Sequence, residues 1–327
     1  MASKAETDAV SNLLEAGVPQ AALAVYGRWW QLETYLREVV YTELRAAFGV
    51  RWVKHVGDKT AAWAERDRVN AYMASADADE ILAYAEVRDL FELIERHWNL
   101  FEPVLLPRTR WQGLVDLLLA IRNRSAHCRR PHGDDLGRLE QVLRDLEPGA
   151  RKFYGSYCRS RPVERKSKDP LARDWIGLRH DAEARLVEHC HRKYGTQFRL
   201  EYSVRPWAEG PRDVDTISGT AGLLWHAHWA LGEEAEPVEA WRTLGREVRE
   251  LVAHMIFNGV PVEATFAAVD DEKAIADAIG QIFDRLIPAS QSLRPKPDAR
   301  GADVVASKDQ VATEAVVPRR FGDALGI

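Results

Sequence analysis

Between Ala21 and Gly49 apolar residues return every three or four positions. Leu32, Tyr35, Leu36, Val39, Val40 and Leu44 share one face and Gly49 supplies a stop, so the spacing predicts one long amphipathic helix. Residues 51–80 are interrupted by Gly57 and by charges, which predicts short helices and a polar turn. Helical period resumes through Leu82, Val87, Leu90, Leu93, Ile94 and Trp98, and Pro103 and Pro107 then turn the chain. Trp111, Leu114, Val115, Leu118 and Ile121 line one face of the next helix, which Pro131 and HGDD end. DDLGRLEQVLRDLEPG predicts another, closed by Pro148 and Gly149. Residues 20–150 thus read as a four- or five-helix bundle.

The pattern changes further on. DWIGLRHDAEARLVEHCHRKYG is helical in period, whereas Phe198, Leu200, Tyr202 and Val204 alternate as a half-buried strand does. Helices are expected around 219–232 and 237–257, an extended segment at VPVEATFAAV, and a last helix at 271–287. From Pro288 onward no period is sustained, and that tail is expected to be disordered. The class is mainly α: an N-terminal helical bundle (1–150), a basic linker or helical end (151–169), a smaller C-terminal helical or α+β domain (170–288) and the tail (289–327).

Composition narrows the partners. A formal net charge of -5 gives no global basic signature, so a nucleic-acid surface has to be local. One basic stretch runs from Arg151 to Lys168, with seven Lys or Arg against Glu164, and with Phe153, Tyr154 and Tyr157 interleaved. Such aromatic residues can stack on bases or pack on a neighbouring helix. Cys128, Cys158 and Cys190 show no CxxC spacing, and no apolar run is long enough for a signal peptide or a membrane span. A reduced, cytoplasmic setting is expected, with no membrane partner.

Candidate chemistry concentrates in AIRNRSAHCRRPH, at the end of the helix that carries Trp111 and Ile121. Metal-independent RNA cleavage needs a group that moves a proton at the ribose 2'-hydroxyl or the leaving 5'-oxygen, and a cation for the charge on the phosphorane. Histidine titrates nearest neutrality and arginine presents a planar fork to phosphate, so His127 and Arg122 fit those roles. Asn123 can orient the arginine or bond to RNA, and Arg124, Arg129 and Arg130 add local positive charge. Arg122 and His127 are five residues apart, hence about 140° and about 7.5 Å along a helix. One copy does not aim both at one atom, whereas two copies facing each other supply a composite groove. Spacing alone is weak: an Arg followed by His after four to six intervening residues also occurs at Arg173/His180, Arg185/His191 and Arg249/His254. A polar helix end, with His127 capping carbonyls and Arg122 solvated, is the competing reading.

RNRSAH resembles the Arg-Asn-x-x-x-His motif of HEPN-domain ribonucleases. With YGRWWQLETYLREVVYTELRAAFG and LFELIERHWNLFEPVL upstream, residues 20–150 are similar to the Swt1-type subgroup. The resemblance implies an HEPN-like all-α bundle that forms a homodimer through the motif-bearing helices and cleaves RNA without metal, leaving a 2',3'-cyclic phosphate. No cofactor is expected, and single-stranded or loop RNA is the expected target because in-line attack by the 2'-hydroxyl needs a flexible backbone. It implies phosphate contact and transition-state charge for Arg122, a supporting polar role for Asn123 and acid/base chemistry for His127. Arg124, Arg129, Arg130, Arg151 and Lys152 are then expected RNA contacts. Family context adds a toxin or antiphage, abortive-infection setting, with an antitoxin or trigger protein as partner. The C-terminal domain would select substrate or hold the nuclease silent. Some HEPN domains are instead RNA-binding or interaction scaffolds without catalysis, and that alternative stays open.

Other motifs carry less. His189 to His191 and the pair His226/His228 lack a second ligand cluster of zinc-finger spacing, so no metal is expected. Trp29 and Trp30 read as core and interface anchors. Ser218 to Gly222 reads as a turn leading into a helix rather than a phosphate loop.

Overall fold

The computed structural model describes residues 4–68, 81–163, 166–176, 198–211, 215–231 and 234–292. The motif-bearing half is helical. After α1 (Lys4–Glu15), the long helix α2 (Gln20–Phe48) ends where Gly49 takes φ 57. All six residues expected on its inner face, Leu32 to Leu44, have no exposed surface. A 3₁₀ turn (Gly49–His55), α3 (Asp58–Arg68), a second 3₁₀ turn (Ile81–Tyr84), α4 (Val87–Arg96) and α5 (Trp98–Phe101) follow. Residues 81–101 are therefore broken twice, and α4 begins at a capping box between Glu86 and Asp89. Helices α6 (Arg108–Ala126) and α7 (Asp135–Cys158) form an antiparallel hairpin. Its ion pairs sit near the two ends, Arg110 with Asp145 and Arg124 with Asp135.

The expected stop at Pro148 and Gly149 is overturned, because α7 runs through both to Cys158. Proline forfeits one backbone hydrogen bond, but the helix beyond it buries Ala150, Phe153 and Tyr157. Gly149 permits close approach to the preceding loop: a Cβ there would lie 2.1 Å from the Val104 carbonyl oxygen. Arg151–Cys158, the first part of the basic stretch, is thus helical. Of its aromatic residues Phe153 and Tyr157 are buried and Tyr154 is half-buried.

The C-terminal part is α+β. Strands β1 (Arg161–Pro162), β2 (Phe198–Val204), β3 (Leu223–Ala230), β4 (Val252–Phe257) and β5 (Pro261–Ala267) make an antiparallel sheet of order β1-β2-β3-β5-β4. The alternation read at Phe198 to Val204 forms β2. Two expected helices are corrected. Residues 219–232 contain β3, in which Leu223, Trp225, Ala227 and Trp229 alternate with Leu224, His226 and His228. Residues 237–257 split into α9 (Pro237–Arg242), α10 (Arg246–Leu251) and β4. The turn at Ser218 to Gly222 leads into a strand, not a helix. The last helix, α11, spans Glu272–Ser292. His189 to His191 and the tail beyond residue 292 lie outside the described residues.

Both faces of the sheet are covered, which is why a polar-out pattern is hard to see in its strands. One face packs Leu200, Tyr202, Trp225, Trp229 and Phe266 against α8 (Pro170–Trp175), α9, α10 and α11. Asp169 caps α8 and, fully buried, accepts hydrogen bonds from the N–H groups of Ile217 and Ser218, pinning the loop that leads to β3. The other face meets α2 and α7 through polar groups. Tyr157 Oη lies 2.7 Å from Thr265 Oγ1, and Tyr41 Oη donates to the Ala253 carbonyl at 2.7 Å. Arg45 donates to the carbonyls of Glu250 and Leu251. Bundle and sheet are therefore joined across a buried, hydrogen-bonded surface, at the end of α7 remote from its start at Asp135.

Candidate functional site

The free end of the α6–α7 hairpin carries the motif. Helix α6 buries Trp111, Leu118 and Ile121 completely, whereas Leu114, Val115, Leu117 and Leu119, two of them expected on its inner face, are half-buried. Its outward stripe is Thr109, Gly113, Asp116, Ala120, Asn123 and then His127, all exposed. The i, i+4 spacing stacks Asn123 and His127 on one side of the helix. Arg122 is half-buried at the edge of that stripe. Among the described residues the side chains of Arg122, Asn123 and His127 make no hydrogen bond or ion pair.

The helix end that holds His127 is tightly built. His127 is the C-cap residue, and its N–H donates to the Asn123 carbonyl at 3.2 Å. The Cys128 N–H donates to Ser125 and the Arg129 N–H to Arg124, the 5→2 and 6→1 bonds of a Schellman motif. That motif needs a left-handed residue, usually glycine, and here Cys128 adopts φ 52, the only non-glycine positive φ among the described residues. His127 is thus fixed on both sides by main-chain hydrogen bonds, while its ring faces solvent.

Arg124 behaves differently from its neighbours. Its Nε donates to Asp135 Oδ2 at 2.8 Å and its Nη2 to Oδ1 at 2.5 Å, a bidentate pair. The same carboxylate accepts the His132 N–H at 2.9 Å, and only 2% of the Asp135 side chain is exposed. Burial by itself raises the Asp135 pKa, but hydrogen bonds from Arg124 and His132 and the Arg124 charge outweigh it and hold the carboxyl below its usual range. Hydrogen bonding to Asp135 correspondingly raises the guanidinium pKa. The sequence reading missed Asp135. An acid at a helix start is visible in the sequence, but its pairing with Arg124 depends on how residues 127–134 close the hairpin.

The remaining expected contacts are spread apart. Arg129 and Arg130 are exposed beside His127. Arg151 and Lys152 lie toward the other end of α7, about 24 Å from Asp135 at 1.5 Å per residue, and Arg151 pairs with Glu147. Trp29 is buried whereas Trp30 is 56% exposed. His226 and His228 share one face of β3, since strand positions i and i+2 do not diverge. His226 lies between Ser203 and Glu263, and His228 between Glu201 and Glu263. Among the described residues no group of three or more His, Cys, Asp or Glu is arranged to hold a metal ion. No described helix is long and apolar enough to cross a membrane.

No curated protein and no solved structure matches the chain. Residues 30–147 match the Swt1-like HEPN family. The matched segment takes in all of α6 and the start of α7, and with them Arg122, Asn123, His127 and the Arg124–Asp135 pair. Residues 30–147 are a Swt1-like HEPN domain, of a family whose members are in general ribonucleases.

Proposed function

We propose that the chain is a metal-independent endoribonuclease that cuts single-stranded or loop RNA at the free end of the α6–α7 hairpin. The observation that carries this reading is the contrast at the helix end. Arg124 is committed to Asp135, whereas the side chains of Arg122, Asn123 and His127 have no hydrogen-bond or ion-pair partner among the described residues. Arg122 holds the scissile phosphate and offsets the phosphorane charge. His127 moves a proton, either from the attacking 2'-hydroxyl or to the leaving 5'-oxygen. The 2'-oxygen bonds to phosphorus, the 5'-oxygen leaves with a proton, and the products are a 2',3'-cyclic phosphate and a 5'-hydroxyl. Asn123 orients the phosphate, and Arg129 and Arg130 hold the flanking backbone.

Two copies complete the site. Arg122 and His127 diverge on one helix, so each reaction centre takes residues from facing α6 helices, with half-buried Val115 and Leu119 covered in the dimer. A single-stranded target follows from the chemistry, since in-line attack needs a backbone free to rotate. The C-terminal sheet is anchored at the far end of α7, and its described residues make no hydrogen bond or ion pair with residues 122–132. Silencing of such a nuclease, as a toxin or antiphage effector in the cytoplasm, falls to an antitoxin or trigger protein or to the C-terminal part of the chain.

Purified full-length protein is incubated with end-labelled single-stranded RNA in excess EDTA, beside the Arg122→Ala/His127→Ala variant. The expected result is cleavage with cyclic phosphate ends by the parent alone. RNA bound but left intact by the parent would replace this reading with that of a binding scaffold.

A further inference from the structure

Asp135 is the least exposed ionisable side chain at this end of the hairpin, and the hydrogen bonds its carboxylate accepts lead to both ends of the segment that carries His127. Its two oxygens take the Arg124 fork and the His132 N–H. Arg124 is also the residue whose carbonyl receives the Arg129 N–H, the bond that closes the helix end around His127 and Cys128. One carboxylate therefore grips both sides of the segment, at residue 124 through a side chain and at residue 132 through the main chain. The segment needs such a grip, because Cys128 holds a left-handed backbone that favours glycine. An opened segment would release His127 from the direction it shares with Asn123.

We propose that Asp135 is a positioning residue for His127, acting through Arg124 and the His132 N–H, and that Arg124 serves this clamp rather than RNA. The proposal rests on the reading of His127 as the proton-moving group. It separates neighbouring arginines by role: Arg122 faces substrate, and Arg124 sets the geometry in which His127 meets it. Displacement of a reacting group by about 1 Å can cost on the order of 100-fold in rate, so the clamp acts on turnover more than on RNA affinity.

The test uses full-length protein with histidine-selective isotope labelling, the His127 ring signal being assigned by its loss in His127→Gln. Asp135→Asn removes the charge and one acceptor while keeping the shape. Arg124→Lys, a milder change, replaces the fork with a point charge and covers the case in which Asp135→Asn does not fold. Arg110→Ala breaks the equivalent ion pair with Asp145 at the other end of the hairpin and serves as the control.

Asp135→Asn is expected to lower kcat on the order of 100-fold with KM within about twofold, and to shift or broaden the His127 ring signal. Arg124→Lys is expected to do the same to a smaller extent, and Arg110→Ala to change neither. An unaltered kcat and His127 signal in Asp135→Asn, or equal losses in Arg110→Ala, would overturn the proposal. A parent without cleavage overturns the nuclease reading instead. The His127 signal then decides the clamp alone, a change confined to the Asp135 and Arg124 variants upholding it and no change rejecting it.

Discussion

Glu43 and Arg205 meet with neither side chain exposed, Nη2 at 2.6 Å and Nε at 3.0 Å from the two carboxylate oxygens. They join the central helix of the bundle to the end of β2. The guanidinium lies over the Phe153 ring at 4.7 Å, and Trp207 Nε1 donates to Glu43 at 2.7 Å. Removing one partner of a buried pair strands the other charge. Glu43→Gln is therefore expected to destabilise the chain by about 3–5 kcal/mol, read as a lower denaturant midpoint of the full-length protein. Replacing both members, as in Glu43→Leu/Arg205→Met, should cost far less, because no buried charge remains.

Gly149 has a different vulnerability. Alanine normally strengthens a helix interior, yet here its methyl would run into the main chain of Val104, which has no rotamer to move. Gly149→Ala is expected to cost about 1–3 kcal/mol through overpacking. Gly155→Ala in the same helix, where nothing lies within 4 Å of an added Cβ, should be neutral or stabilising in the same melt.

At Cys128 the expected sign is reversed. A left-handed non-glycine residue carries roughly 1–2 kcal/mol of strain, against roughly 0.5–1 kcal/mol of extra chain entropy that glycine costs on folding. Cys128→Gly should be more stable than Cys128→Ala by up to about 1 kcal/mol, with both measured by denaturant unfolding in reducing buffer.

Acid should weaken the bundle before its carboxylates titrate. His55 Nδ1 and His97 Nε2 are 3.1 Å apart, with His55 stacked on Phe48, so one proton at most lies between the two rings. Both pKa values are held below the ordinary histidine range. Burial and then the Arg96 charge lower that of His55, while burial, His55 and Arg96 lower that of His97. In the unfolded chain these histidines take up protons near pH 6.5, and in the folded chain only at lower pH. The unfolded state thus binds more protons in that interval, and stability falls as pH drops from about 6.5 through the folded values. Unfolding free energy measured from pH 7.5 to 5 should show this slope, and His97→Gln should flatten it.

The helical bundle was legible in the sequence because α2, α4, α6 and α7 each bury a stripe against a shared core. The 3.6-residue period of Leu32 to Leu44, and of Val87 to Ile94, is the direct trace of that geometry. The motif at Arg122, Asn123 and His127 was legible for a similarly local reason, as residue types at a helix end. The sheet was harder to read. Trp225, Ala227 and Trp229 do alternate with His226 and His228, but α2 and α7 cover the second face as well, so the polar-out half of the signal is missing. The run of Ala, Leu and Trp then passes for a helix.

Tertiary structure alone decided which arginines are free and where helices stop. Local rules end a helix at Pro148–Gly149, yet burial of Phe153 and Tyr157 carries it on, because packing free energy outweighs one lost hydrogen bond. Arg122 and Arg124 are indistinguishable as letters. Only the closure of residues 127–134 brings Asp135 to one of them, binding Arg124 and leaving Arg122 open. Periodicity and residue type are properties of the chain itself, whereas the partner of a charged side chain is set by the path of the backbone between them.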